Sequence, residues 1–250
     1  MILSEIKKQN NINKFQKFNL NLSNEDKLLL NKLKIKKNIN YGVFLTLKTL
    51  YKYDKLIDET LLKSLNINQT QRLKFKNLIK KIINEFLMKT KQESALIHLR
   101  ITKANNDFKI PRWHQDGSYF QGQKLYNIKL LTTLKGPPTL ISKWNNKAYI
   151  EENKYFQLIE KKRMELNKSK SKSININEFE EKQRLILRKK LSKLLQPINH
   201  SDSDSAYSYI NGKYATYHSE PYLQEDRIFL AIVPNSLENI KKCRQKTKLN

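Results

Sequence analysis

The sequence predicts an α+β chain, with a helical front followed by a β-domain that a helical insertion interrupts. Two changes of texture carry this expectation. Over residues 1–92, and again over 151–196, apolar residues recur at three- and four-residue spacing among lysines, the period of an amphipathic helix. From about residue 94 to 144, and from 206 to 233, short apolar runs broken by turn residues take over, as strands require. A length of 250 residues suits one domain with a helical addition. We divide it into an N-terminal helical region at 1–92, a β-domain at 93–240 with its insertion at 150–200, and a basic tail at 241–250.

In chain order, Ser23-Asn24-Glu25-Asp26 opens a helix that carries Leu28, Leu29, Leu30 and Leu33. Tyr41–Tyr53 spaces Phe44, Leu47 and Leu50 by three and predicts a second helix. Gln69–Thr90 predicts a third, with Leu73, Phe75, Leu78, Ile82, Ile83 and Phe86 as a stripe to be buried in a core. Ala95–Thr102 and Leu125–Leu134 read as strands, and Gly136-Pro137-Pro138 turns the chain into Thr139–Trp144. The Lys- and Glu-dense insertion is broken by a KSKSKS run at 168–173, and a Ser/Asp loop follows at 200–205. Asn211-Gly212 predicts a hairpin joining Ala206–Ile210 to Lys213–His218, because that dipeptide supplies two positive-φ residues. Arg227–Val233 is continuously apolar after its first residue and predicts a strand buried on both faces.

Lys and Arg number 49 against 23 Asp and Glu, a formal charge of +26 that invites a polyanion partner. Only eight of the 49 are Arg, and the chain is rich in Lys, Asn and Ile while holding 5 Gly and 6 Pro. An AT-rich genome, such as that of a large DNA virus or a parasite, produces this bias without functional selection. The charge by itself therefore names no partner. A single cysteine, Cys243, excludes an internal disulfide and a zinc site built on several thiolates. The longest clean apolar run, Ile228–Val233, is far short of the roughly 20 residues that cross a bilayer. The opening MILSEIKKQNN has no apolar signal core. These features read as a soluble intracellular protein, of cytoplasm or nucleus.

Chemistry concentrates after the first strand, in Pro111-Arg112-Trp113-His114-Gln115-Asp116-Gly117. In extended backbone His114 and Asp116 point the same way and Gln115 points elsewhere. One imidazole and one carboxylate on a side make two-thirds of the facial triad that holds non-haem Fe(II). A second His is needed from a later strand, and His218 ends the predicted hairpin. Nine residues beyond it, Arg227 opens the buried strand, where a guanidinium needs a partner and suits a carboxylate.

This pattern of His-x-Asp, distal His and following Arg resembles the 2-oxoglutarate/Fe(II)-dependent oxygenases. Trp113–Gly117 is similar to the metal motif of the phytanoyl-CoA hydroxylase branch, and RWHQDG, KLLTTLKGPPTL and HSEP–RIFL resemble an uncharacterised bacterial family of the same skeleton. The resemblance covers about 95–235 and implies a double-stranded β-helix (jelly-roll) core. It implies iron held by His114, Asp116 and His218, 2-oxoglutarate held by Arg227 with Lys129 in reach, and O2 as the other co-substrate. It departs from the family in the 102 residues that separate Asp116 from His218. Nucleic-acid demethylases of the superfamily carry a second Arg soon after the co-substrate Arg, whereas Ile228–Pro234 holds none. A protein side chain or a small molecule is therefore favoured as substrate over a nucleobase.

Other residues have competing readings. His200-Ser201-Asp202 repeats the motif in a polar loop, too close to His218 for intervening strands. His98 reads as a core histidine, Lys129 as solvated or co-substrate-binding, and Trp113, Tyr119 and Tyr214 as packing or a substrate wall. Thr132 and Thr133 face opposite sides, so one of them lines any pocket. Glu220 or Asp226 offers Arg227 an internal partner. Two readings of the whole chain stay open beside the oxygenase. One is a non-catalytic jelly-roll that binds a polyanion or protein through Lys-rich faces; the other is a cupin-like metal enzyme that does not use 2-oxoglutarate.

Overall fold

The structure is a computed structural model and describes residues 15–46, 53–116, 128–169, 175–198, 205–210 and 215–241. It mixes helix and strand. Six strands form one antiparallel sheet: β1 (Phe15–Asn19), β3 (Ile39–Thr46), β5 (Ser94–Thr102), β6 (Ile128–Lys135), β8 (Ser205–Ile210) and β10 (Arg227–Asn235), in the order β1-β8-β6-β10-β5-β3. β10 is central, paired with β5 on one side and β6 on the other, which explains its continuous apolarity. Ile228, Leu230 and Ile232 of β10 and Ile97, Leu99 and Ile101 of β5 turn to one face and join the main core. Burying each such side chain is worth about 1.5–3 kcal/mol.

That face is covered by α1 (Asn24–Lys32), α2 (Tyr53–Ser64) and α3 (Gln69–Thr90), through Leu29, Leu30, Ile57, Leu61 and the α3 stripe that includes Phe75, Ile82 and Phe86. α1 and α3 start on reciprocal caps, Ser23 with Asp26 and Asn68 with Gln71, where each side chain satisfies the other's free N–H. Two short strands, β2 (Lys34–Ile35) and β4 (Leu65–Asn66), pair beside these helices. The opposite face of the large sheet carries His98, Arg100, Lys129, Arg227, Phe229 and Ala231 into a cavity. Across it lies a second, small sheet of β7 (Leu140–Ser142) and β9 (Tyr217–Ser219), extended by a bridge from His114 to His218. Its outer side is covered by α4 (Asn146–Ser169) and α5 (Ile176–Leu194), where Ala148, Leu191 and Leu195 bury Trp113 and Tyr217.

Three expectations change. The helix expected over Tyr41–Tyr53 is strand β3 as far as Thr46, hydrogen-bonded along its length to β5. Its Asn-Tyr-Gly-Val-Phe-Leu-Thr run is β-prone, and the waiting edge of β5 decides over the spacing of its apolar residues. With β1, it makes the front part of the large sheet rather than wholly helical. The hairpin over 206–218 does not form: β8 pairs with β6 and β1, whereas β9 pairs with β7 in the other sheet. Asn211-Gly212 lies outside the described residues. The insertion begins at Asn146, whose side chain cap comes from Asn145, earlier than 150. Among the described residues no helix is long and apolar enough to cross a membrane.

Candidate metal centre

His114 and His218 are cross-strand neighbours. The N–H of each donates to the carbonyl of the other at 3.0 Å, and their rings lie 4.2 Å apart, centre to centre. Asp116 follows two residues later on the same side, and one ligating atom from each of the three lies within 4.8 Å of the others. His218 Nε2 is 3.6 Å from Asp116 Oδ2. Gln115 points away, as the period of two requires, and its amide donates to the Ala215 carbonyl, tying the two segments a second time. His114 Nδ1 is 2.8 Å from the Arg112 carbonyl; as the donor there, it leaves Nε2 free to ligate.

The surrounding cavity, about 140 Å³, is strongly charged. Lys129 Nζ is 2.7 Å from Asp116 Oδ2, and both side chains are buried. Burial pushes the His218 imidazole down to about 3, against a partial lift from Asp116. Burial, then Lys129 and Arg100, push His98 down to about 4. Both rings are thus neutral near pH 7, the state in which imidazole binds a metal. Burial works to raise the Glu220 carboxyl, but Arg112, His114 and Arg100 bring it down to about 2.

Arg227 is 3% exposed, and burial lowers its pKa to about 10. Its Nε donates to the Pro137 carbonyl at 3.0 Å, and Nη2 donates to Thr139 Oγ1 at 2.6 Å and Thr133 Oγ1 at 3.3 Å. The guanidinium sits 4.7 Å over the Phe229 ring. The internal partners expected for it are engaged elsewhere: Glu220 with Arg100 and Arg112, Asp226 with the Ala104 N–H. Among the described residues no carboxylate pairs with Arg227.

No family model matches the sequence, and no curated protein does. Among solved structures, the chain is similar to a Pseudomonas putida prolyl-4-hydroxylase at 8% identity, over 94% of this chain and 99% of that one, with a TM-score of 0.37. A likeness that loose carries no argument about chemistry. The donor set does. Two imidazoles and one carboxylate, converging from one side with their ligating atoms a few ångströms apart, fit a divalent first-row metal.

The other sequence readings divide. Thr133 is the threonine that meets Arg227, and Trp113, 4% exposed, both packs against the insertion helices and lines a second cavity. His98 is not a core histidine: it lines the cavity beside Arg100. The signal was in ALIHLRIT, where polar His98 and Arg100 alternate with Ile97, Leu99 and Ile101. Thr139, Arg100 and Glu220 also line this cavity, and the Glu220–Arg112 pair borders it, with no motif in the sequence to announce them. Tyr119, Tyr214 and His200–Asp202 lie outside the described residues.

Proposed function

We propose that this chain is a non-haem Fe(II)- and 2-oxoglutarate-dependent oxygenase, a hydroxylase on a double-stranded β-helix scaffold, acting on a protein side chain or a small molecule. The observation that carries the reading is the convergence of His114, Asp116 and His218 on a cavity whose other wall holds Arg227, which pairs with no carboxylate among the described residues. When bound, the metal supplies O2 activation coupled to decarboxylation of the keto acid. The residues supply position. The backbone bridge sets the separation of the two imidazoles, and the Arg112 carbonyl aims His114. Arg227 takes the far carboxylate of 2-oxoglutarate, with the Thr139 and Thr133 hydroxyls fixing its plane. Lys129 offers the co-substrate a second cation from the same wall while holding Asp116 in place.

The test is anaerobic titration of Fe(II) and 2-oxoglutarate, read by the metal-to-ligand absorption band. The band should form with the wild-type chain and vanish in His114→Ala. Metal binding without the band would leave a metal enzyme that uses no 2-oxoglutarate, and absence of metal binding would sink the reading.

A further inference from the structure

Lysine far outnumbers arginine in this chain, yet five of its eight arginines gather at two adjoining cavities. Arg100 and Arg227 line the metal-side cavity. Arg112, Arg184 and Arg188 line a second, of about 380 Å³, between the His114 segment and the two insertion helices. His114 and Glu220 line both, so the two spaces meet at the metal centre. Among the described residues no lysine lines the second cavity. Codon bias multiplies lysine; it does not choose the planar, five-donor guanidinium for one groove.

Three arginines line the second cavity against two carboxylates, Glu152 and Glu220, and Glu152 accepts from the Tyr217 hydroxyl while burial raises its pKa. Glu220 is divided between Arg100 and Arg112 through one oxygen. Arg112 stacks 3.8 Å over Phe108, and its buried Nε has no hydrogen-bond partner among the described residues. Arg184 binds Glu181 and the Tyr155 hydroxyl. No described carboxylate lies within ion-pair distance of Arg188, and burial, then Arg112 and Arg184, depress its pKa. Like charges held this close in a half-buried groove are unfavourable until an anion joins them. Trp113, Phe156 and Leu187 make the remaining wall apolar. The neighbouring Lys154 and Lys190 are both engaged by Glu151.

We infer that this groove binds the oxyanion of the substrate, a carboxylate or phosphate on a small organic molecule with an apolar body, and so lays that body beside His114. The word substrate rests on the oxygenase reading; the anion site does not. The volume falls in the range of small-molecule pockets, about 300–1,000 Å³.

Phenyl phosphate and phenylacetate, titrated separately into the full chain by calorimetry, test this and tell the two anions apart. At least one should bind, more weakly as salt rises. Arg188→Ala and Arg184→Ala should each weaken it about tenfold or more, as loss of a charge-assisted hydrogen bond does. Arg188→Lys should recover only part, and Lys189→Ala should change nothing. With Co(II) as a spectroscopic stand-in at the metal centre, the bound probe should perturb the cobalt bands in the wild type but not in Arg188→Ala. Binding of neither probe, or equal binding by the wild type and both alanine variants, overturns the inference. A probe that binds while Co(II) does not removes the metal reading and the substrate role together, leaving an anion site.

Discussion

Arg227 directs three of its five donors to one carbonyl and two hydroxyls, a set too weakly negative to repay the burial of a full charge. Its stability and its function should therefore separate. Arg227→Met fills the space and removes the charge, at the cost of freeing the Pro137 carbonyl. Its melting temperature should stay within a few degrees of wild type, while 2-oxoglutarate affinity falls roughly tenfold or more. Differential scanning fluorimetry and co-substrate titration measure the two, and an unchanged affinity would return Arg227 to a purely structural role. His98 makes a different prediction. Its folded pKa of about 4 lies below the ordinary 6.5, so as pH falls the unfolded chain takes the proton first. The stability this ring contributes is whole above pH 6.5 and is lost on the way down to about 4, at no more than about 1.4 kcal/mol per pH unit. The difference between wild type and His98→Leu in urea melts should slope over that window and be flat above it. Gly42 makes room for the ring: a Cβ there would stand 3.1 Å from His98 Nδ1.

At the level of elements, the turn after β6 is where sequence and site meet most tightly. Gly136 has φ +83°, and a Cβ on it would fall 2.2 Å from the Asp226 carbonyl, against the start of β10. Gly136→Ala should destabilise the fold by more than about 2 kcal/mol, from backbone strain and displaced neighbours together. Chemical denaturation checks this, and a loss under 0.5 kcal/mol would mean the turn relaxes freely. The two insertion helices are not a detachable excursion. Tyr217 is fully buried under them and donates to Glu152 of α4 at 3.0 Å, and Trp113 packs into the same cluster. These residues sit next to His218 and His114. Replacing 146–195 with a short linker should therefore expose both aromatics and weaken Co(II) binding, read by tryptophan emission and cobalt absorption; unaltered cobalt binding would make the two helices an external appendage. What could be read in advance follows the same divide. The bounds of α3 and most of its buried stripe were legible because that periodicity is local, although Leu73, expected in the stripe, is exposed. His114 and Asp116 were legible because a period of two needs no partner strand. β3 and the partition of β8 from β9 were not, since their neighbours lie at β5 and β7, far along the chain.

For the whole molecule, the question is what the +26 charge is for. Much of it is lysine, and the arginines that the fold singles out are gathered at cavities rather than strung along a face. A nucleobase demethylase needs a track for the phosphate backbone and a stack for the flipped base. We expect methylated single-stranded DNA and RNA, incubated with Fe(II), 2-oxoglutarate and O2, to release formaldehyde no faster than the no-substrate control. Release well above control would promote the nucleic-acid reading and make the Arg184–Arg188 groove a phosphate channel.

The reciprocal hydrogen bonds between His114 and His218 carry a consequence for how the chain threads itself. They close a loop of 104 residues, and they form only in one alignment of the two segments. A slip of one position presents Tyr217 or Ser219 where an imidazole belongs. A divalent ion would then act as a proofreader, rewarding only the correctly threaded chain, by about 4 kcal/mol at a thousandfold excess over its Kd. Refolding from urea should yield more native protein with Co(II) present than with a chelator, and His218→Ala should erase that advantage.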